Sequence, residues 1–129
     1  MILVDSSVWI AELRGSKTPA TAKLEAVARR EPLLVGDLIL LEVLQGARDE
    51  GHAQRIERGL RRFDIVSLLD ADLAPQAARN YRRLRDMGIT VRKIADVIIG
   101  TYCIERRCAL LDDERDFDPM ERHLGLVVV

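Results

Sequence analysis

Three carboxylates stand where carboxylates are costly. Asp5 closes the apolar run Ile2-Leu3-Val4, Glu42 sits inside Leu38-Ile39-Leu40-Leu41-Glu42-Val43-Leu44, and Asp96 sits inside Ile94-Ala95-Asp96-Val97-Ile98-Ile99. Each is the lone charge in a stretch that has to pack, and an unpaired carboxylate taken out of water is strongly disfavoured. Either each acid finds its own arginine, or the acids converge on one divalent cation. Hard cations such as Mg²⁺ and Mn²⁺ prefer oxygen ligands, so an all-carboxylate set suits them. A fourth group, Asp112-Asp113-Glu114-Arg115-Asp116, follows the apolar triplet Ala109-Leu110-Leu111. Taken singly, each has an ordinary reading. Asp5 reads as a helix N-cap, Glu42 as an ion-paired helix residue, Asp96 as an acid favoured by the dipole near a helix start, and the run from Asp112 as a solvated turn. Recurrence of all four on separate elements favours a shared site.

The elements that must carry these acids are short and alternate. Ile2 to Val4, Leu33 to Val35 and Ala109 to Leu111 are continuous apolar runs suited to buried strands of a parallel sheet. Ile65 to Leu68 is a weaker strand candidate, and Leu126 to Val129 is expected as a terminal strand. Helices are expected over Ser7 to Leu13, stopped by Gly15, and over Thr18 to Arg30, broken by Pro32. Asp37 is placed as the N-cap of a helix over Leu38 to Gln45. Further helices cover Glu50 to Arg61, Ala71 to Met87 with Leu73, Ala77, Tyr81 and Leu84 on one face and Gly88 at its end, and Ile94 to Glu105. Strands alternating with helices predict a three-layer α/β/α domain with a parallel sheet of four to five strands, a single unit over residues 1–129. In such sheets ligand sites form at the carboxyl ends of strands, where Asp5 and the run from Asp112 both fall.

Composition narrows the function classes. The 129 residues are 48% hydrophobic and 32% charged, a globular balance, and the net charge of −1 supplies no bulk field toward nucleic acid. No apolar run approaches the roughly 18 to 20 residues that span a membrane, and no secretory signal opens the chain, so a cytoplasmic protein is expected. Cys103 and Cys108 make no disulfide framework and read as packed or idle thiols. His52 and His123 have no neighbours that suggest acid–base catalysis, and no glycine-rich phosphate loop is present. Aromatics are too few for a base-stacking platform, and Trp9 reads as core or interface.

The segment Ile2-Leu3-Val4-Asp5-Ser6-Ser7-Val8-Trp9-Ile10 resembles the opening of PIN domains of the VapC type. Glu42 on its apolar helix, the stretch Val91 to Ile99 around Asp96, and Leu110-Leu111-Asp112-Asp113-Glu114-Arg115-Asp116-Phe117 resemble the later motifs of that family in the same order. The family commonly shows Asp-x-Asp-Phe in the last of these, and here the first position is Glu114. Asp116 is then the better-matched member, with Asp112 and Asp113 as stand-ins that fit less well. The resemblance implies a PIN-like fold and an endoribonuclease, the toxin of a toxin–antitoxin pair. It implies that Asp5, Glu42, Asp96, Glu114 and Asp116 hold one or two Mg²⁺ or Mn²⁺ ions, which ready a water for attack on phosphorus. Ser7 matches a small polar position that would orient Asp5.

RNA has to be gripped through phosphates, for which arginine is well suited. Arg92 and Lys93, just before the Asp96 segment, are the favoured candidates. Arg79, Arg82, Arg83 and Arg85 offer a basic wall or merely a solvated face, and Arg55, Arg58, Arg61 and Arg62 a solvent or interface face. The resemblance also implies a VapB-like antitoxin as partner and a homodimer, for which the Leu38 to Leu44 helix offers apolar residues. Two alternatives stand beside this reading. One is a degenerate PIN domain that binds partners without cleavage, favoured by Glu114. The other is a phosphoacceptor receiver domain, disfavoured because Asp5 lacks a paired acid and no lysine follows Lys93.

Overall fold

Short apolar runs without alternation make strands only where both sheet faces are covered, and the computed structural model of residues 1–129 contains such a sheet. Its strands are β1 (Ile2–Val4), β2 (Leu33–Gly36), β3 (Asp64–Val66) and β4 (Ala109–Leu111). All pair in parallel, in the order β3-β2-β1-β4, and every residue of β1 and β2 is buried. The chain builds outward from β1 to β3, then crosses back to lay β4 on the other side of β1. That reversal is the switch point at which open α/β sheets leave a crevice beyond their strand ends.

Seven helices dress the sheet: α1 (Ser6–Leu13), α2 (Pro19–Ala28), α3 (Asp37–Gln45), α4 (Glu50–Leu60), α5 (Leu73–Asp86), α6 (Ile94–Arg106) and α7 (Asp118–Leu124), the last preceded by a single 3-10 turn over Arg115–Phe117. They pack in two groups, α1 with α2 and α3 and α3 with α4, and α5 with α6 and α7. The α/β architecture with a four-strand parallel sheet agrees with expectation. A core of 30 buried hydrophobic residues runs through it, including all of β1 and most of α6 from Val97 to Cys103.

Local chemistry sets the helix ends. Thr18 and Thr21 cap the start of α2 reciprocally, with Pro19 at the first helical position. Beyond α5 the chain turns at Gly88, whose φ of 80° suits glycine, and Ile89 N–H closes back on Leu84 O at 2.9 Å.

Five details differ from the sequence reading. Asp37 is not the N-cap of α3 but its first residue, Gly36 taking the cap position. Its Oδ1 accepts from Leu38 N at 2.8 Å and from Leu68 N at 3.1 Å, fastening the start of α3 to the chain beyond β3. β3 ends at Val66 rather than Leu68, because Leu68 turns its side chain over the bare face of Gly36. The buried face of α5 is Leu73, Ala77, Asn80 and Leu84, while Tyr81 is 37% exposed. Asn80 tolerates burial by donating Nδ2–H to Thr101 Oγ1 of α6 at 3.0 Å. The expected terminal strand is reduced to one bridge, Val128 beside Leu110. Finally, α7 was not anticipated.

The docking of α7 depends on a missing side chain. Gly100 lies on the buried face of α6, and a Cβ there would overlap Met120 Sδ, itself 1% exposed. Gly100→Ala should therefore destabilise the fold by about 1–2 kcal/mol net, the cost of overpacking a filled core less the helix propensity that alanine gains over glycine. Urea unfolding checks this, and an unchanged midpoint would contradict the contact.

Candidate active site

β1 and β4 lie side by side with Val4 opposite Leu111. Parallel pairing therefore delivers the next residues, Asp5 and Asp112, at the same sheet edge, and Asp5 N–H donates to Leu111 O at 2.9 Å. Asp5 is 6% exposed. Its backbone occupies the N-cap position of α1, yet its side chain makes no capping hydrogen bond. Asp5 Oδ2 instead accepts from Ser7 Oγ at 3.0 Å. The capping explanation of Asp5 fails on this geometry.

Glu42, in the second turn of α3, is half-buried and accepts from Ser6 Oγ at 3.4 Å through Oε2, while its Oε1 is buried with no donor. Asp96 is half-buried in the first turn of α6. Asp112 is half-buried, with Oδ1 also lacking a donor; Glu114 and Asp116 are exposed at the start of the 3-10 turn. The molecule's ion pairs are the Met1 α-ammonium with Glu31, Lys17 with Glu25, Arg61 with Glu57, and Arg106 with Asp70. None involves these six acids, so the private-arginine solution is not the one this fold adopts.

The acids act on one another instead. Burial, and then the charge of Asp5, raise Glu42 above the ordinary carboxylate range, against the Ser6 hydroxyl and Lys93. Burial, Asp5 and Asp116 push Asp96 up to about 6, with Lys93 opposing and Glu42 adding to the shift. Burial and the charge of Asp5 push Asp112 up to about 8, helped by a direct contact with Asp5 and opposed by the Glu114 N–H. That contact is a hydrogen bond only while one of the two carboxyls keeps a proton; with both ionised, the buried Asp112 oxygen has nothing to accept from. Glu114 is raised by a similar contact with Asp116, then by burial and the charge of Asp116. Asp5 thus acts on Glu42, Asp96, Asp112 and Glu114, so residues from β1, α3, α6 and the β4 exit share one electrostatic neighbourhood.

An oxygen-only donor set, two buried oxygens without donors and one nearby lysine fit a hard divalent cation. The side chains stand open, with no three His, Cys, Asp or Glu groups drawn tightly round one point. Beside Asp96 runs a cleft of about 550 Å³ lined by Arg92, Lys93, Asp96, Arg115, Asp116 and Pro119 among others. Arg92 and Lys93 therefore line the same cleft as Asp96 and Asp116. Of the α5 arginines, Arg82 lines a neighbouring apolar groove with Tyr81 and Ile94, and Arg79 donates to Gln76 Oε1 of its own helix. Trp9 is buried, its ring centroid 5.1 Å from that of Phe63.

Three groups of this neighbourhood carry little signal in the sequence. Asp112 fits the Asp-x-Asp-Phe pattern less well than Glu114, yet directly after β4 it mirrors Asp5 directly after β1. Ser6 is an ordinary serine in sequence, and only the fold brings its hydroxyl to Glu42. Arg115 lies inside the acidic run, and only the fold places it in the cleft with Asp96.

These shifts fix the sign of a pH effect. Asp96 and Asp112 hold their protons in the folded state to about 6 and about 8, above the ordinary 3.8. Their contribution to stability is full below 3.8 and is lost as pH rises through those values. In EDTA, the protein should become easier to unfold as pH rises across this window. Asp112→Asn should flatten the upper part of that slope, and urea midpoints measured at several pH values check both. A metal-free wild type that gained stability toward alkaline pH would contradict the charge cluster.

A model of the PIN domain family matches residues 2–122. Ribonuclease VapC11 of Mycobacterium tuberculosis is 29% identical over 128 residues, covering 98% of this chain and 96% of that protein. A VapC ribonuclease of Mycobacterium bovis matches with the same identity and coverage. Among solved structures, VapBC2 from Rickettsia felis bound to a promoter DNA fragment superposes with a TM-score of 0.80 at 16% identity, covering 100% of this chain and 98% of that one. A toxin–antitoxin complex from Klebsiella pneumoniae gives a TM-score of 0.72 at 20% identity, over 100% and 96% of the two chains. With a family match running from the first strand into the last helix, and the acids at the sheet's switch point, this chain belongs to the PIN domain family.

Proposed function

We propose that this chain is a Mg²⁺- or Mn²⁺-dependent endoribonuclease, the toxin of a toxin–antitoxin pair. The observation that carries the reading is the gathering of acids from four separate elements with no arginine or lysine paired to any of them. Relatives named as VapC ribonucleases support the reaction class, and fold relatives solved as toxin–antitoxin complexes support an antitoxin partner.

Asp5, Glu42 and Asp96 would hold the cation, with Asp116, Glu114 and Asp112 completing its surroundings. A divalent ion bound there makes water a competent nucleophile at neutral pH and offsets charge on the phosphoryl oxygens. The chain's own groups do the rest. Ser7 fixes the rotamer of Asp5, and Ser6 steadies Glu42. Lys93, Arg92 and Arg115, which line the cleft with Asp96 and Asp116, would receive the phosphates next to the bond to be cut. We place the protein in the cytoplasm; no helix is long and apolar enough to cross a membrane. A homodimer is part of the proposal, and Leu41 on α3, 56% exposed, offers it an apolar contact.

Incubation of the purified protein with total RNA and Mg²⁺ or Mn²⁺, with cut ends mapped by sequencing, tests the reading. Cleavage should vanish in EDTA, and Asp96→Asn should lower it by about 100-fold or more, near 3 kcal/mol of transition-state stabilisation. Mn²⁺ titration followed by calorimetry supplies a readout independent of turnover. An Asp96→Asn protein that cuts as fast as wild type would refute the site. Retained Mn²⁺ binding without any cleavage by wild type would favour the non-cleaving PIN alternative. Arg92→Ala with Lys93→Ala should weaken RNA binding and flatten its salt dependence by roughly two charges, leaving Mn²⁺ affinity close to that of wild type.

A further inference from the structure

The two cysteines lie at the ends of α6 and β4 away from Asp96 and Asp112, and nothing above uses them. Cys103 is in the last turn of α6, and Cys108 comes two residues beyond the helix end, just before β4. The helix closes through Arg107, which has a left-handed φ of 54°. Cys108 N–H then donates to Cys103 O at 3.0 Å and Arg107 N–H to Ile104 O at 3.4 Å. This is a Schellman closure, in which the side chains of the two residues now occupied by cysteine normally meet in an apolar contact. Here both positions of that contact hold cysteine, and each thiol perturbs the proton affinity of the other.

From this arrangement we infer that Cys103 and Cys108 form a redox-modifiable dithiol, oxidised to an intramolecular disulfide by low-molecular-weight disulfides. Covalent bond lengths on either side of the 3.0 Å contact keep the two Cα atoms within about 7 Å, inside the reach of a disulfide. Both residues are buried, at 1% and 4% exposure, yet both line a surface cleft of about 350 Å³ shared with Met1, Arg107, Gly125 and Val127. A small disulfide has a route to them. Cys108 is the attacking group: the contact with Cys103 lowers its pKa, while the same contact and burial raise that of Cys103.

The steps balance. The Cys108 thiolate attacks one sulfur of the small disulfide, forming a mixed disulfide and expelling one thiolate. Cys103 then gives up its proton and attacks the Cys108 sulfur, expelling the second. The protein loses two electrons and two protons, and the small disulfide becomes two thiols. The new bond would tie the last turn of α6 to the start of β4, the two elements whose other ends carry Asp96 and Asp112.

The test uses the whole reduced protein, treated with oxidised glutathione, quenched in acid, alkylated and weighed intact. The expected product has lost two hydrogens, carries no alkyl group on either cysteine, and maps to a peptide linking positions 103 and 108. It should revert with dithiothreitol. Cys103→Ser should stop at a glutathione adduct on Cys108, and Cys108→Ser should stay largely unmodified. Wild-type thiols that remain fully alkylatable, a wild-type glutathione adduct that never resolves, or a bond joining two chains would each overturn the proposal. Because the readout is mass rather than RNA cleavage, its result is independent of the nuclease reading.

Discussion

Negative charge collected at one edge of a parallel sheet is hard to sustain, and much of this molecule answers to that difficulty. Parallel pairing puts Asp5 and Asp112 side by side, because they are the first residues past the paired ends of adjacent strands. Asp96 arrives from the first turn of α6, and Glu42 from α3. Helix dipoles ease part of the charge, since Asp5 sits at the N-cap of α1 and Asp96 in the first turn of α6. The hydroxyls of Ser6 and Ser7 relieve one oxygen each. What remains is a raised affinity for protons at Glu42, Asp96, Asp112 and Glu114. The cation proposed for this site would relieve the same repulsion that raises these proton affinities.

Basic groups have to be near such a site without neutralising it. Lys93 lowers the proton affinity of Glu42, Asp96 and Glu114, yet it makes no ion pair with any of them. Its ammonium and the Arg92 and Arg115 guanidinium groups line the cleft beside the acids. Kept apart in this way, the cations would be free to receive the proposed anionic substrate and the carboxylates the proposed metal.

Much of this was legible in the residues because burying a carboxylate is a local anomaly. A single charge in Leu38 to Leu44 or Ile94 to Ile99 is visible without any knowledge of the fold. The sheet was legible for a related reason, since unalternating triplets such as Ile2-Leu3-Val4 have few other uses. Relations between distant segments were harder to see. That Asp112 outranks Glu114 as a neighbour of Asp5 follows from the register of β1 on β4, which no window of residues contains. The periodicity points to Tyr81 rather than Asn80, because an amide is hidden at a core position only when a partner such as Thr101 waits on another helix. α7 escaped notice because seven residues with proline near the start give too short a periodic signal, and its anchor is an empty space at Gly100.

The Asn80–Thr101 pair has a further meaning. Apolar helix faces can slide past one another by a turn at modest cost, since one aliphatic contact replaces another. An enclosed amide is less forgiving: moved away from the hydroxyl, it would lose its acceptor with no water to replace it. The bond therefore works as a dowel that lets α6 seat on α5 at one height and one rotation. Because the carboxylate of Asp96 rides on α6, a single neutral hydrogen bond in the interior helps decide where a charge at the surface is aimed.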